Sequence, residues 1–405
     1  MKRALLACIL TWPLAGQNFS QRGFFEVRTT LFPQTTPQDS GRVILDSLLR
    51  YEMSYKLTPW LRFQGAVDGR TDTHHLTERR LRLDWQDRGA QRPAVSLRRF
   101  SLTADRGPWT VEAGRQFIRW GKADILNPLD RFAPRDFLNV VDPEYLGVLA
   151  GRVTWERGPD TLELVWQPRF TPSRTPIPNQ RWAPLPDIGI PLREGPPRLP
   201  GGDQVGLRWN HVGRGYEASG VLYQGHNHLP LLDARITEVP VPSAEFFRYF
   251  AQMRMIGGAA AVPNRWFTLK SEAGFFSSST PGADNYLQYV IQAERQSGEW
   301  TFVGGYAGEY VTVRRRLFDF APDRGLTRSF LGRASLQINP NDSVSFDVAV
   351  RQNGSGVWIR NEYVHLLNDR FSVRLSGALI RGDVSDFLGQ FRRNSHVMLV
   401  FRYSF

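Results

Sequence analysis

The sequence contains one cysteine, few lysines and no long apolar run. Cys8 is the only cysteine among 405 residues, and lysine occurs at only four positions. The longest apolar run, Ala4 to Leu10, is far shorter than the roughly 20 residues that a helix needs to span a bilayer. A helical membrane protein is therefore excluded. The aromatic content of 12% also excludes a disordered chain, because disordered chains bury little apolar surface.

The first seventeen residues have the layout of a secretory signal peptide. Lys2 and Arg3 precede the apolar stretch, and the small residues Ala15 and Gly16 mark a cleavage region. Cleavage would remove Cys8 and leave no thiol for catalysis, for a metal site or for a disulfide. We therefore divide the chain into a signal peptide, residues 1–17, and a single domain, residues 18–405.

The C-terminal segment alternates between two faces. One face is apolar and aromatic, and it consists of Val397, Leu399, Phe401, Tyr403 and Phe405. A last strand of this pattern that ends in Phe resembles the assembly signal of bacterial outer-membrane β-barrels. The resemblance implies that Phe401, Tyr403 and Phe405 are recognised by the barrel assembly machinery.

The same period of two recurs throughout the chain. Leu45, Leu49 and Leu57 share one face of a predicted strand, while Asp46 and Arg50 share the other. Without apolar helices, a backbone satisfies its hydrogen bonds in a bilayer only as strands closed into a barrel. We predict an all-β fold, a single antiparallel transmembrane β-barrel of about eighteen strands, with sixteen as the alternative count. The strands are predicted at approximately 24–32, 43–57, 59–70, 95–105, 109–118, 147–157, 161–168, 203–212, 215–224, 250–260, 265–276, 285–296, 299–312, 327–338, 342–352, 356–367, 369–381 and 393–405.

The predicted connections alternate between short turns and long loops. Turns of Gly, Pro, Asn or Asp type occur at every second connection, and several intervening loops reach 25 residues or more. Outer-membrane barrels place short turns at the periplasmic rim and long loops outside the cell. Tryptophans support this orientation, because they gather where hydrocarbon meets water. The tryptophans near short turns are Trp60, Trp109, Trp155, Trp209, Trp266 and Trp300.

Three local segments of the sequence depart from the regular strand pattern, and each leads to its own prediction. Glu78–Gln86 alternates like a further hairpin arm inside a long loop. Arg115 falls on the lipid-facing side of its strand, where an arginine costs about 2–4 kcal/mol at mid-membrane, so we expect a β-bulge that turns it inward. The proline-rich loop 169–202 is expected to be a solvated, partly mobile lid, and the alternatives are a plug in the mouth of the barrel or a contact with a partner.

Positive charge exceeds negative charge, with 51 Lys and Arg against 39 Asp and Glu. Nearly all the cations are arginine, whose guanidinium binds phosphate and carboxylate groups in a bidentate fashion. Affinity for anions is one interpretation, and coding bias together with contact to anionic lipopolysaccharide is the other. The basic residues are spread along the chain, so nucleic-acid binding is not expected.

The predicted strand register assigns charged residues of both signs to the lumen. Barrels of sixteen to eighteen strands are wide enough for an aqueous channel, so we expect a hydrated, charge-balanced interior. A salt-bridged filling that only stabilises the wall is the alternative. The same register places Arg254 in the lumen. The predicted pore lining is Arg50, Glu52, Arg62, Glu112, Arg152, Arg208, Glu272, Arg333, Asp347, Arg351, Arg360 and Arg374.

The most motif-like stretch runs from Gly114 to Lys122 and continues through Asn127-Pro128-Leu129-Asp130. Over about 50 residues it resembles the G-R-Q-x-x-x-W-G and N-P-x-D pattern of porin-like outer-membrane barrels, including alginate-export-like families. The resemblance implies an outer-membrane channel but no particular substrate. By analogy with general porins, the loop would fold inward and narrow the pore, and a surface loop is the alternative. The predicted constriction residues are Lys122, Asp124, Asp130, Arg131, Arg135 and Asp136.

Catalytic, cofactor and metal sites are not expected. The sequence has no G-x-S-x-G elbow and no Walker-type loop, and His226 and His228 lack a further nearby histidine for a metal. We predict an outer-membrane channel of a Gram-negative-type cell for passive or facilitated diffusion of small hydrophilic solutes, with a preference for anions left open. The alternatives are an export channel for an anionic polysaccharide and a non-conducting structural or adhesive barrel. Outer-membrane lipid and lipopolysaccharide are expected partners, and a homotrimer is open.

Overall fold

A computed structural model describes residues 18–184, 192–237, 243–315 and 321–405. The predicted signal peptide, 1–17, lies outside the described residues and stays a prediction. The wall of the molecule consists of β1 (Phe19–Leu31), β2 (Val43–Thr58), β3 (Leu61–Asp72), β4 (Val95–Arg106), β5 (Trp109–Gln116), β6 (Val148–Arg157), β7 (Asp160–Gln167), β8 (Gln204–Gly213), β9 (Tyr216–His226), β10 (Gln252–Pro263), β11 (Thr268–Ser277), β12 (Asn285–Ser297), β13 (Trp300–Val313), β14 (Ser329–Asn339), β15 (Asp342–Arg351), β16 (Gly356–Leu366), β17 (Phe371–Gly382) and β18 (His396–Ser404).

These strands form one closed antiparallel barrel of 18 strands. Each strand pairs with its neighbours in sequence, and β1 closes the barrel against β18, where Phe25 lies opposite Tyr403. At the seam, Gly23 and Phe405 exchange backbone hydrogen bonds of 2.9 Å in both directions. The predicted fold class and strand number are therefore confirmed, and the alternative of sixteen strands is wrong.

The two rims of the barrel differ in the way that the sequence predicted. Turns of two or four residues join β2 to β3 and every second pair after it, and they form the short-turn rim. The other connections form the long-loop rim. Among the tryptophans near the short turns, Trp60, Trp109 and Trp266 are exposed by half or more, as a belt at a lipid boundary requires.

The strands owe their stability to the two environments that they separate. On β2, Leu45, Leu49 and Leu57 point outward and are nearly half exposed, while Asp46 points inward and is buried. Apolar side chains on the outer face suit the hydrocarbon of a bilayer, and every strand has a hydrogen-bonded neighbour on both sides because the sheet is closed. No helix in the described part of the chain is long and apolar enough to cross a membrane.

Short elements lie inside the long loops. They are the strands Leu83–Asp84, Arg135–Asp136, Glu144–Tyr145, Leu192–Glu194, Leu231–Thr237 and Ser243–Tyr249 and the 3₁₀ helix Gly389–Asn394. Leu83–Asp84 is the only part of the segment 78–86 that forms a strand, and it pairs in parallel with the start of β4. A further hairpin arm at Glu78–Gln86 is therefore wrong, because the segment finds only two residues of partner strand.

The expected β-bulge at Arg115 is also wrong, although the side chain does leave the lipid-facing surface. The pairing of β5 with β4 and β6 is regular. Gly114 has a φ of +123°, and the guanidinium of Arg115 donates to the carbonyls of Trp85 and Gln86. A bulge does occur on β4, where Arg98 is left without a partner on β3.

The lumen assignment of Arg254 is wrong as well. On β10, Met253 and Met255 are buried on the inner face, whereas Arg254 between them is exposed on the outer face. The inner face of this strand is apolar because loop residues cover it. A prediction that assigns the apolar residues of each strand to the lipid-facing side therefore assigns the two faces of β10 the wrong way round.

Candidate functional site

Residues 117–147 join β5 to β6, fold into the barrel interior and are called the lumen loop. Nζ of Lys122 lies 2.7 Å from Oε1 of Glu217 on β9. Farther along the loop, Oδ1 of Asp142 accepts a hydrogen bond of 3.2 Å from Arg360 on β16. Since β9 and β16 are separate parts of the wall and neither pairs with β5, the loop crosses the lumen.

The motif residues give the lumen loop its shape. Oδ1 of Asp130 accepts the backbone N–H groups of Trp120 and Gly121, each at 2.7 Å. The side-chain amide of Asn127 donates to the carbonyl of Ala123 within the same turn. A Cβ on Gly121 would lie 2.6 Å from the Cβ of Asn127, so only glycine fits there. The W-G and N-P-x-D residues therefore close this part of the loop on itself.

Glu272 on β11 fastens the loop to the wall. Its Oε1 accepts the N–H of Leu129 at 2.7 Å, and its Oε2 accepts those of Lys122 and Ala123 at 2.9 and 3.3 Å. The residue is 1% exposed, so these bonds replace the water that the carboxylate loses. Sequence alone predicted Glu272 as pore lining, and the structure places it beneath the loop.

Apolar contacts cover much of the wall behind the lumen loop. On one side, Trp120, Leu129 and Phe132 pack among inward-facing Val221, Tyr223, Met253, Met255, Phe276 and Tyr286. On the other side, Ala123, Leu126 and Val140 pack among Val290, Ala307, Leu331, Ala349, Trp358 and Ile380. The interior is thus only partly the charged, hydrated lining that the sequence predicted.

Part of the proline-rich loop between β7 and β8 also enters the barrel. Residues 170–176 are buried, and Nη1 of Arg174 lies 2.6 Å from Oδ2 of Asp136. Farther on, Arg181 donates to the backbone carbonyl of Gly41 at 2.9 Å. The expectation of a solvated lid is therefore wrong for this part of the loop, because its arginines find partners inside the mouth of the barrel.

A buried network of ion pairs joins both loops to the wall. Asp136 lies 2.8 Å from Arg92 as well as close to Arg174. Burial raises the pKa of the Asp136 carboxyl, but these two guanidinium groups outweigh it and lower the pKa to about 2. Glu144 pairs with Arg70 of β3 at 2.6 Å, and this pairing lowers the pKa of Glu144 against the effect of burial. Asp136 is therefore held in structural ion pairs.

Besides a small cavity of about 20 Å³ among the buried ion pairs around Asp136, two larger cavities inside the barrel border the lumen loop. The upper cavity, of about 200 Å³, lies between the lumen loop and the wall of β14 to β16, on the side of the long-loop rim. Its charged lining residues are Asp124, Asp130, Arg131, Arg135, Asp142, Asp323, Arg333, Asp347 and Arg360. Four arginines against five aspartates leave this cavity close to neutral.

The lower vestibule, of about 580 Å³, lies beneath the lumen loop on the side of the short-turn rim. Its charged lining residues are Arg22, Arg50, Glu52, Arg98, Arg99 and Arg119. The bulge on β4 brings Arg98 and Arg99 to the same side of the wall. Five arginines against one glutamate make the vestibule positive, although Asp68 lies 2.7 Å behind Arg50 and Glu112 lies 3.9 Å behind Arg99.

Residues that line the upper cavity contact residues that line the lower vestibule in a group that we call the Tyr145 cluster: Arg119, Asp130, Arg135 and Tyr145. The guanidinium carbons of Arg119 and Arg135 lie 4.4 and 4.7 Å from the ring centroid of Tyr145. Arg135 lines the upper cavity, and Arg119 lines the lower vestibule. Burial raises the pKa of the Tyr145 hydroxyl, so the ring stays neutral and Asp130 supplies the only negative charge of the cluster.

The predicted site residues are thus divided among different places. Of the predicted constriction residues, Asp124, Asp130, Arg131 and Arg135 line the upper cavity, whereas Lys122 and Asp136 hold the loop. All twelve predicted lining residues face inward. Arg50 and Glu52 border the lower vestibule, and Arg333, Asp347 and Arg360 border the upper cavity. Glu272 lies beneath the lumen loop, and Arg351 pairs with Asp386 of the loop between β17 and β18. The remaining predicted residues pair within the wall, as Arg152 does with Glu112, Arg62 with Asp105 and Arg374 with Glu362, or face an opposite charge in register, as Arg208 does with Glu163.

Sequence reasoning missed Arg98, Arg119 and Tyr145. Arg119 lies inside the motif, which was a usable signal. Arg98 was hidden by the bulge, because strict alternation places only one of two consecutive arginines in the lumen. Nothing in the sequence around Tyr145 distinguishes it from other loop tyrosines.

No protein-family model and no curated protein sequence matches the chain. Solved structures are similar to it. A BenF-like porin from Pseudomonas fluorescens Pf-5 aligns over 96% of this chain and 97% of its own, with a TM-score of 0.55 and 11% identity. Pseudomonas aeruginosa OccK5 (OpdH) aligns over 96% and 98%, with a TM-score of 0.52 and 8% identity. Pseudomonas aeruginosa OpdQ aligns over 95% and 98%, with a TM-score of 0.51 and 10% identity.

Identities this low show the fold alone, and the resemblance of the motif to particular barrel families stays a prediction. The shared fold extends over nearly the whole of each chain. This chain therefore shares the fold of these porins, a closed antiparallel β-barrel.

Proposed function

We propose that the chain is an outer-membrane channel through which small hydrophilic solutes diffuse, with a preference for anions. The apolar outer face and the unequal rims support a place in the outer membrane, with the short-turn rim towards the periplasm. The porin fold supports passage of solutes. The Tyr145 cluster carries the proposal, because one of its arginines lines the upper cavity and the other lines the lower vestibule.

The charge of the cluster supports the preference for anions. Arg119 and Arg135 carry two positive charges against the single negative charge of Asp130, whose Oδ2 is 3.5 Å from Nε of Arg119. A carboxylate or phosphate group can accept a pair of parallel hydrogen bonds from a guanidinium. The arginines of the lower vestibule would attract the same anions towards the cluster from the other side.

The test is the ion selectivity of the purified barrel in a planar bilayer under a KCl gradient. Removing a positive charge at about 4 Å in water weakens the attraction for an anion by about 1 kcal/mol, so removing two should weaken that attraction by roughly thirtyfold and lower the anion preference by at least as much. We expect the zero-current potential of Arg119→Gln with Arg135→Gln to move towards that of a cation channel. Arg295→Gln removes an outward-facing charge above Trp266 and should leave the potential unchanged. Unchanged selectivity in the double variant would refute the role of the cluster.

A non-conducting structural or adhesive barrel is the second candidate. The apolar packing of the lumen loop and the arginines of the proline-rich loop support it, because both fill space that a solute would use. The same bilayer experiment separates the two functions, since a filled barrel would show no current at any potential. Export of an anionic polysaccharide is less well supported, because five aspartates border the upper cavity.

A further inference from the structure

The outer wall of β8 to β11 carries a groove of about 620 Å³ near the long-loop rim. Its outward-facing residues form two rows in strand register. The upper row consists of Val205, Gln224, Arg254 and Ser277. The lower row consists of Leu207, Leu222, Ile256 and Phe275, which are all exposed. Asp203 also lines the groove beyond Val205, so the groove has one polar end that carries both signs of charge and one apolar end.

Arg254 is the cationic group of the groove, and Asp203, which precedes β8, is the one carboxylate of its lining. It is exposed on the outer face, and within the described ranges of the chain no carboxylate pairs with it. An unpaired arginine on a lipid-facing strand costs about 2–4 kcal/mol at mid-membrane and about 0–1 kcal/mol near the interface. Its position along β10 therefore decides whether it is tolerated.

The position of Arg254 matches the edge of the apolar band. Trp266 lies in the short turn after β10 and marks the opposite edge. About ten residues of strand separate the two, and a rise of about 3.3 Å per residue at a tilt of about 40° gives a height of about 25 Å. That equals the height of the apolar band of such barrels, so Arg254 lies at the level of the lipid headgroups on the long-loop side.

Below the apolar row, the outer face has no side chains at two adjacent positions. Gly220 and Gly258 follow it on β9 and β10, and they lie side by side in register. A Cβ on Gly220 would meet only a ring atom of Trp209, 4.0 Å away. The outer face therefore has an open depression at Gly220, directly below Leu222.

We propose that the groove binds one phosphate-bearing, acylated lipid of the outer leaflet. The phosphate accepts hydrogen bonds from Arg254 and from the amide of Gln224. An acyl chain runs along Leu222 and Ile256 and fills the depression at Gly220. The opposite charge of the phosphate explains an otherwise unpaired arginine at headgroup height. Binding at this site is independent of whether the barrel conducts.

The test is native mass spectrometry of the detergent-folded full chain titrated with lipid A, a bis-phosphorylated, multiply acylated disaccharide. We expect one bound lipid at low concentration, and an affinity about tenfold weaker in Arg254→Gln, which loses a charge-assisted hydrogen bond. Arg381→Gln is the matched control, because Arg381 is an exposed, outward-facing arginine at the same end of β17. Equal affinities of wild type and Arg254→Gln, or equal losses in both variants, would overturn the proposal.

A second pair of variants tests the acyl chain. Gly220→Leu fills the depression and should weaken lipid A binding, whereas Gly377→Leu adds the same side chain to open space on β17 and should not. The dephosphorylated lipid should bind as weakly to wild type as lipid A does to Arg254→Gln. Equal binding of the two lipids, or a dimer of the chain that Gly220→Leu abolishes, would show that something other than a phosphorylated lipid occupies the groove.

Discussion

Replacing Glu272 with alanine should release the lumen loop from β11. The carboxylate accepts three backbone N–H groups of the loop, at 2.7, 2.9 and 3.3 Å, from Leu129, Lys122 and Ala123. Hydrogen bonds to a charged group contribute about 1.5–3 kcal/mol each. Counting only the two shorter bonds at the lower value gives about 3 kcal/mol, which corresponds to roughly a hundredfold change in the opening equilibrium of the loop.

Amide hydrogen exchange measures this opening directly, because the three N–H groups are themselves the reporters. We expect the amides of Lys122, Ala123 and Leu129 to exchange about a hundredfold faster in Glu272→Ala than in wild type. In Glu272→Gln the three amides should exchange at rates between those of wild type and Glu272→Ala. The carbonyl oxygen of the glutamine side chain still accepts an N–H of the loop, but its NH₂ group is itself a donor and cannot accept one.

A suitable control is Glu112→Gln. Glu112 is also buried on the inner face, but its carboxylate contacts Ser101 and Arg152 and no amide of the lumen loop. The three reporter amides should therefore exchange in this variant at the wild-type rate. If the three amides exchanged at the wild-type rate in Glu272→Ala, the apolar clusters alone would hold the loop, and Glu272 would not be what fastens it to β11.

The barrel could be predicted from the sequence because its signal is local. Each strand separates lipid from the interior, so neighbouring residues such as Leu45 and Asp46 report the two sides independently of the rest of the chain. The rule fails where a loop covers the inner face. On β10, the apolar Met253 and Met255 face the lumen loop, and Arg254 was consequently assigned to the wrong side.

The functional site could be predicted only in part, because its geometry depends on distant pairs. The sequence marks Asp136 as a charged loop residue, but its partners Arg92 and Arg174 lie 44 and 38 positions away. Likewise, Glu272 occupies an inward-facing position in the alternating pattern of β11. Nothing near it in sequence indicates that it will bind amides of the lumen loop, which lie 143 to 150 positions earlier. Contacts of this range are set by the closure of the barrel and not by local pattern.

Gly114→Ala should destabilise the barrel by about 1–3 kcal/mol, measured by its melting temperature in detergent, because a Cβ would lie 2.2 Å from a carbonyl oxygen of β4. Deleting Phe405 should lower the amount of barrel assembled in the membrane if the last strand is an assembly signal, and an unchanged amount would refute that signal. Acid should weaken the packing around His228, whose ring nitrogens lie 2.6 and 2.7 Å from the carbonyl oxygens of Thr171 and Arg131. Burial lowers the pKa of His228 to about 4, below its usual 6.5, so the folded chain binds fewer protons and the stability present above pH 6.5 is lost as the pH falls towards 4. The melting temperature of wild type should therefore fall towards that of His228→Gln between pH 7 and pH 4, and a constant gap between the two proteins would show that the ring is not held neutral by burial.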